Sequence, residues 1–252
     1  MKTTDNTILI TGGASGIGLG LAESFYALGN KVIIAGRRAE LLQTVAKEHP
    51  GMEWIQLDVS NSDDIKAVAS KVIQRFPKLN VLINNAGVMR FDDLSMPIDE
   101  RLLSEMVNTN LLGPIRITSA LIEHLKKQHR ATIVNNSSVV AFTPLAYNGI
   151  YSATKAAMHS YTMSLRFVLQ DSSVTVQEIA PPWVNTDLIK KTDDPRAMDL
   201  DAFVAETMKA LKSDEPEALV DAARPHRDNA GPGEYAFFNQ LNEAIRQEPL
   251  PV

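Results

Sequence analysis

Six short apolar runs, at residues 7–11, 31–35, 53–57, 81–84, 132–135 and 174–179, recur along the chain with segments of helical length between them. The first intervening segment places Ile17, Leu21, Phe25 and Leu28 at the spacing that gives a helix one apolar stripe, and the others resemble it. Alternating strands and helices predict a parallel sheet with helices on both faces, because parallel neighbours need crossover connections. The expected fold class is α/β, with a doubly wound parallel sheet.

The rhythm stops near Lys190. KKTDDPRAMD, residues 190–199, reads as a polar loop, and Leu200, Phe203, Val204, Met208 and Leu211 then mark an amphipathic helix. That loop and helix are expected to cover a cleft. After the polar turn ARPHRDNAGPG a further helix is expected over 235–245, and the end, QEPLPV, is expected to fray.

Composition narrows the function classes. The chain has 252 residues, 44% hydrophobic and 22% charged, with no low-complexity tract, so one domain over 1–252 is expected, its lid and tail at about 187–252. A net charge of -5 and the lack of a Lys/Arg block argue against a nucleic-acid partner. With no cysteine, chemistry must rest on oxygen and nitrogen groups. The five histidines show no metal-ligand spacing, and no metal is expected. MKTTDNT runs straight into ILI without a signal-peptide pattern, and no run has membrane-spanning length, so a soluble cytoplasmic protein without a membrane partner is expected.

TGGASGIG, residues 11–18, lies between the first strand and the first helix. Glycines there let the backbone turn tightly and let a pyrophosphate approach the N–H groups of the helix N-terminus. Gly12, Ser15, Gly16, Ile17 and Gly18 are therefore candidate cofactor-binding residues; the competing reading is a turn with a glycine cap. The second strand ends AGRR, so Gly36 stands where an acid would bind the ribose 2′-OH of NAD, and Arg37 and Arg38 suit a 2′-phosphate. NADP(H) is favoured and NAD(H) possible; alternatively both arginines are solvated surface residues. Asp58, with Val59 after it, follows the third strand and by itself reads as a helix-capping turn.

YSATK, residues 151–155, puts a phenol and an ammonium on one face of a helix. A free phenol has a pKa of about 10, and a nearby ammonium favours its phenolate, which makes Tyr151 a candidate acid and base. Lys155 supplies the ammonium. Ser138 ends a predicted strand, where its hydroxyl can hydrogen-bond a substrate oxygen; Ser137 is the rival, and capping is the bland role for either.

Taken together, TGxxxGxG, NNAG at residues 84–87, Asn110 in NTNLLGP, Ser138 and YSATK resemble, in order and spacing, the short-chain dehydrogenase/reductases over about the first 190 residues. TGGASGIGLGLA, APPWVNTDL and the unusual C-terminus are similar to the DltE-like branch of that family. The resemblance implies a Rossmann fold and NAD(P)-dependent oxidoreductase activity. It implies that Tyr151 donates the proton in carbonyl reduction, Lys155 binds the nicotinamide ribose and lowers the tyrosine pKa, and Ser138 orients the substrate oxygen. It further implies that Asn110 holds a water linking Lys155 to solvent, that Asp58 holds the adenine side, and that Asn85, Ala86 and Gly87 support the cofactor. After the sixth strand the family pattern is Pro-Gly, whereas this chain has Pro181-Pro182, followed by Trp183, Val184 and Thr186. Proline lacks an N–H, so the local backbone contact must differ, with Thr186 the expected carboxamide partner and Pro181 and Val184 beside it. No glycine-ended last strand of the kind that packs family tetramers is found, so a homodimer through the Asn110 and Tyr151 helices is expected.

Met89, Val140, Phe142, Leu145, Trp183, Ile189 and Phe203 are the expected pocket walls, which suits a small hydrophobic or aromatic carbonyl or alcohol substrate; several could instead be core, Phe203 above all. Two other functions compete. One is a dinucleotide-binding redox sensor acting through the C-terminal tail, and the other is an epimerase, which would call for a longer substrate domain.

Overall fold

The computed structural model describes residues 1–229 and 231–248. Its strands are β1 (Thr7–Thr11), β2 (Lys31–Gly36), β3 (Glu53–Gln56), β4 (Leu79–Asn84), β5 (Ala131–Asn136) and β6 (Val174–Ile179). They form one parallel sheet in the order β3-β2-β1-β4-β5-β6. The helices are α1 (Gly16–Ala27), α2 (Ala39–Glu48), α3 (Ser62–Arg75), α4 (Glu100–Val107), α5 (Gly113–Leu125), α6 (Gly149–Val168), α7 (Leu200–Leu211), α8 (Arg224–Arg227) and α9 (Glu234–Gln247). A π turn, Asn108–Leu112, joins α4 to α5 without a break.

The strands are apolar along their length because both sheet faces are covered. Ile8 and Ile10 of β1 join one cluster with Leu21 and Phe25 of α1, while Leu9 between them joins another with Val68 of α3 and Leu121 of α5. This alternation makes the fold doubly wound and Rossmann-like. The strand order reverses between β1 and β4, which opens a crevice beyond their C-terminal ends. Beyond β6 the chain runs alongside the edge at a single bridge, Glu178 to Glu217, rather than adding a further strand among the described residues.

Three expectations need correction or limit. The helix after the polar loop, α7, packs on α1 with Val204 over Gly20, and Phe203 is 1% exposed in the core, so neither covers the cleft. Its apolar stripe is satisfied by α1 and the core cluster on that face of the sheet. The polar turn at 223–233 contains a short helix, α8, and the expected later helix is α9. Of the end expected to fray, 247–252, Gln247 closes α9 and Glu248 is its C-cap, while residues 249–252 lie outside the described residues. Among the described residues no helix is long and apolar enough to cross a membrane.

Candidate active site

A cavity of about 1040 Å³ opens at the C-terminal ends of β1, β4 and β5. Its floor is built from the glycine loop and residues 84–87. Gly12 has φ +67°, and a Cβ there would lie 2.9 Å from the Ala86 Cα. Thr11 Oγ1 accepts from the N–H groups of Asn85 (3.0 Å) and Ala86 (3.1 Å), and Asn85 Nδ2 donates back to the Thr11 carbonyl at 3.0 Å. At Gly18 a Cβ would meet the Gly12 carbonyl oxygen at 2.2 Å, so Gly18 supports the loop from behind and does not reach the cavity. Gly12, Ser15, Gly16 and Ile17 do line it, with Asn85, Ala86 and Gly87. The N-cap of α1, Ser15, makes no side-chain cap bond, and no acid stands in the first turn. Those uncapped amides at a positive helix end, with no side chain filling the cradle, fit a dinucleotide pyrophosphate.

Arg37, Arg38, Asp58 and Val59 line the same cavity farther out. The two arginines differ. Arg38 donates to Ser15 Oγ at 2.8 Å, whereas the Arg37 side chain has no hydrogen bond or ion pair among the described residues. Asp58 Oδ1 accepts from Ser60 N (2.9 Å) and Ser60 Oγ (2.7 Å), a local turn, while Asn61 caps α3.

The inner end holds Ser138, Tyr151 and Lys155, all buried. Tyr151 and Lys155 lie one turn apart on α6, with the Lys155 ammonium 5.5 Å from the centre of the Tyr151 ring and donating to the Asn136 carbonyl at 2.9 Å. Burial pushes the Tyr151 phenol well above its ordinary value, against the opposing influence of the Ser138 hydroxyl. Burial pulls Lys155 down to about 8, opposed by the charge of Glu178. Desolvation therefore outweighs the help expected from the ammonium in this chain. Ser138 Oγ donates to the Pro181 carbonyl at 3.3 Å, while Ser137 Oγ donates to Glu178, so the serine facing the phenol is Ser138.

Asn110 lies in the π turn. Its Oδ1 accepts from Val88 N and its Nδ2 donates to Val88 O, both at 2.8 Å, so the side chain braces the stretch after β4 and does not line the cavity. Pro181, Val184 and Thr186 do line it. The Pro181 carbonyl accepts from Val139 N at 3.0 Å, and Pro182 forms wall without needing an N–H.

The family model for short chain dehydrogenases matches residues 6–197. The chain belongs to the short-chain dehydrogenase family. This short-chain dehydrogenase is 36% identical to the uncharacterized oxidoreductase DltE of Bacillus subtilis (strain 168) over 248 residues, 96% of this chain and 98% of that one. It superposes on an alcohol dehydrogenase from Thermococcus sibiricus complexed with 5-hydroxy-NADP at a TM-score of 0.77 and 26% identity, covering 85% of this chain and 95% of that one. The 3-ketoacyl-(acyl-carrier-protein) reductase from Brucella melitensis complexed with NADH gives a TM-score of 0.78 at 26% identity, covering 86% and 96%.

In this short-chain dehydrogenase the outer walls differ in part from those expected. Met89, Val140, Leu145, Trp183 and Ile189 line the cavity; Phe142 does not, because its ring is held between His159 and Arg227. The cover comes from the loop carrying Ile189 and Arg196 and from Ala222, His226, Leu241, Ala244 and Ile245 of the C-terminal segment. Asn242 fixes α9 in place by donating to the Pro144 carbonyl at 3.0 Å and accepting from Ala146 N. Of these, Ile189 was expected as a wall from the sequence and the others were not. The stripe of Leu241 and Ile245 on α9 was visible as apolar spacing, but nothing in it said which surface it meets. Asn136 was also missed; its Nδ2 donates to Asn85 Oδ1 at 2.8 Å, and the repeated Asn-Asn at the ends of β4 and β5 was the available signal.

Proposed function

We propose that this short-chain dehydrogenase is an NADP(H)-dependent oxidoreductase acting on a carbonyl compound or secondary alcohol, with Tyr151 as general acid and base. The observation that carries this reading is the meeting of Ser138, Tyr151 and Lys155, all buried, at the inner end of a cavity whose outer floor is a glycine cradle. A bound nicotinamide dinucleotide supplies the hydride in reduction and takes it in oxidation. Ser138 and Tyr151 offer two O–H donors to one substrate oxygen. In reduction the phenol proton goes to that oxygen as hydride reaches the carbon, and Lys155 stabilises the phenolate left behind. Burial keeps the phenol protonated at neutral pH, the form that donates in reduction.

The preference for NADP(H) rests on Gly36 and on the Arg37 guanidinium, which has no partner among the described residues; the similar structures include both an NADP analogue and an NADH complex. The walls at Met89, Val140, Leu145, Trp183 and Ile189 suit a hydrophobic or aromatic substrate. We read the chain as one domain acting in the cytoplasm as a homodimer through the helical segments that carry Asn110 and Tyr151; on the second, α6, the residues Met163, Phe167 and Val168 are exposed in the single chain.

Tyr151→Phe tests the reading. NADPH binding, followed by protein fluorescence, is expected to stay near wild type, while turnover of a ketone falls by about 10²–10⁴-fold. Retained turnover sinks the assignment. A redox sensor acting through its tail is the second reading, supported by the contact of Leu241 and Ile245 with the cavity, which lets whatever binds there touch the C-terminal segment.

A further inference from the structure

Among the described residues, the C-terminal segment gives the cavity wall Ala222, Leu241, Ala244, Ile245 and one polar side chain, His226. Local order explains the set. Phe237, Leu241, Ala244 and Ile245 recur along α9 at the spacing of one helix face, and the His226 ring meets the first of them edge-on, with the ring centres 5.4 Å apart. The next residue, Arg227, turns away to Glu217 and the Phe142 ring, as adjacent residues of a helical turn must diverge. The imidazole is left on the cavity side. Its short helix, α8, packs against the single turn Val139–Ala141 that follows Ser138, which puts His226 on the substrate side rather than beside the glycine cradle.

Neither ring nitrogen of His226 has a hydrogen-bond partner among the described residues, and Nδ1 is sealed from solvent. Burial holds the imidazole pKa below its ordinary value, so at neutral pH the ring is uncharged, with one N–H and one lone pair. Nδ1 has no acceptor in reach, and a stranded lone pair is better tolerated in a folded chain than a stranded N–H. The proton therefore sits on Nε2, where a ligand in the cavity can accept from it. The arginines of the same wall are engaged elsewhere. Arg196 donates to Asp194 and to the Glu248 carbonyl at 2.9 Å, and Arg90 donates to the Met89 carbonyl at 3.1 Å and to Glu105.

We propose that His226 is a specificity-determining residue whose Nε2–H binds a second, uncharged oxygen of the substrate, so that the preferred substrate is a carbonyl compound with an apolar body and a distal ester, ketone or ether oxygen. The inference rests on the function proposed above and narrows its substrate class. The reacting oxygen goes to Ser138 and Tyr151, the distal oxygen goes to the imidazole, and the carbon chain between them lies along Leu241 and Ile245. A carboxylate is disfavoured at the distal end, because the surrounding wall is apolar and an uncharged ring does not answer its charge.

The test compares ethyl acetoacetate and ethyl levulinate, which hold an ester at two spacings from the ketone, with methyl pentyl ketone and methyl hexyl ketone, their analogues of equal chain length. Binding to the full chain with NADP⁺ is followed by ligand-observed NMR. Oxidised coenzyme cannot reduce a ketone, so the Kd is read without turnover. Wild-type protein is expected to bind at least one ester about tenfold more tightly than its matched ketone, the worth of one hydrogen bond shielded from water. His226→Phe, which keeps a ring against Phe237, is expected to abolish that preference by weakening the ester and not the ketone. His226→Gln, which keeps an N–H donor, retains part of it.

Equal Kd values for ester and ketone in the wild type, or binding of neither, overturn the proposal, and that comparison needs no variant to fold. A preference that survives His226→Phe assigns the oxygen to another group of the wall, such as Thr143, and overturns it as well. So does equal weakening of ester and ketone, the mark of a merely structural role. Levulinate bound more tightly than its ethyl ester puts a carboxylate where the proposal puts an uncharged oxygen, and overturns it too. Activity is read separately with NADPH. Wild-type protein that shows the binding preference but reduces neither compound counts against the proposed activity and leaves the role of His226 standing, whereas reduction of both without a binding preference does the reverse. With turnover, the loss in His226→Phe appears in KM for the ester rather than in kcat.

Discussion

At the end of β2 the proposed cofactor preference turns on a position with no side chain. Gly36 lines the cavity, a Cβ there would meet nothing within 4 Å, and the next residue, Arg37, holds a guanidinium without a protein partner among the described residues. A carboxylate introduced at this point finds room, offers an acceptor to a ribose 2′-OH and repels a 2′-phosphate. Gly36→Asp is expected to raise the Kd for NADPH relative to that for NADH by at least about tenfold, or about 1.4 kcal/mol. Fluorescence titration with both coenzymes checks it, and an unchanged ratio removes Gly36 and Arg37 from the specificity argument. The sequence placed two adjacent arginines here without distinguishing them; Arg38 is drawn to Ser15 and Arg37 is not, a difference set by side-chain direction.

The β1–loop–α1 unit works as an element because its glycines are fitted to backbone, not to flexible side chains. At Gly18 an added Cβ would sit 2.2 Å from the Gly12 carbonyl oxygen and 2.9 Å from the Gly12 carbonyl carbon, neither of which can move without shifting the floor beneath residues 84–87. Gly18→Ala is expected to cost about 3 kcal/mol in urea unfolding, the upper end of ordinary overpacking, and to weaken NADPH binding as the loop shifts. Gly36→Ala is the control and should stay within about 0.5 kcal/mol of wild type. Strand positions were legible to within about two residues, because parallel strands buried on both faces must be apolar throughout, and β1 and β6 match the sequence reading at both ends. The π turn was not legible: NTNLL carries no periodicity that separates it from α-helix, and it is the bracing of Val88 by Asn110 that accompanies it.

At the scale of the molecule, the segment after β6 decides how the cavity is closed. The family model stops at residue 197, yet Ala222, His226, Leu241, Ala244 and Ile245 wall the cavity. Removing residues after Gly231 deletes α9 and opens the substrate side while leaving the glycine cradle and Arg37 untouched. The expected outcome is NADPH affinity near wild type, with KM for an apolar ketone raised at least about tenfold. Unchanged kinetics, together with loss of a binding partner, would instead favour the sensor.

The sequence by itself determined what depends on local order. Apolar runs fix strands, the TGxxxGxG spacing fixes the loop, and the four-residue step from Tyr151 to Lys155 fixes a shared helix face. Tertiary structure alone decided what depends on which surfaces meet. It sent Phe203 and α7 against α1 and α9 over the cavity, since an amphipathic stripe states that it must be buried but not against what. It also gave the buried Glu178 its partners, Ser137 and His159. In the sequence Glu178 is an acid within an apolar run, and its charge acquires partners only where β5, β6, α6 and α8 converge, because a buried charge is tolerable only among groups that the fold, not the local chain, brings to it.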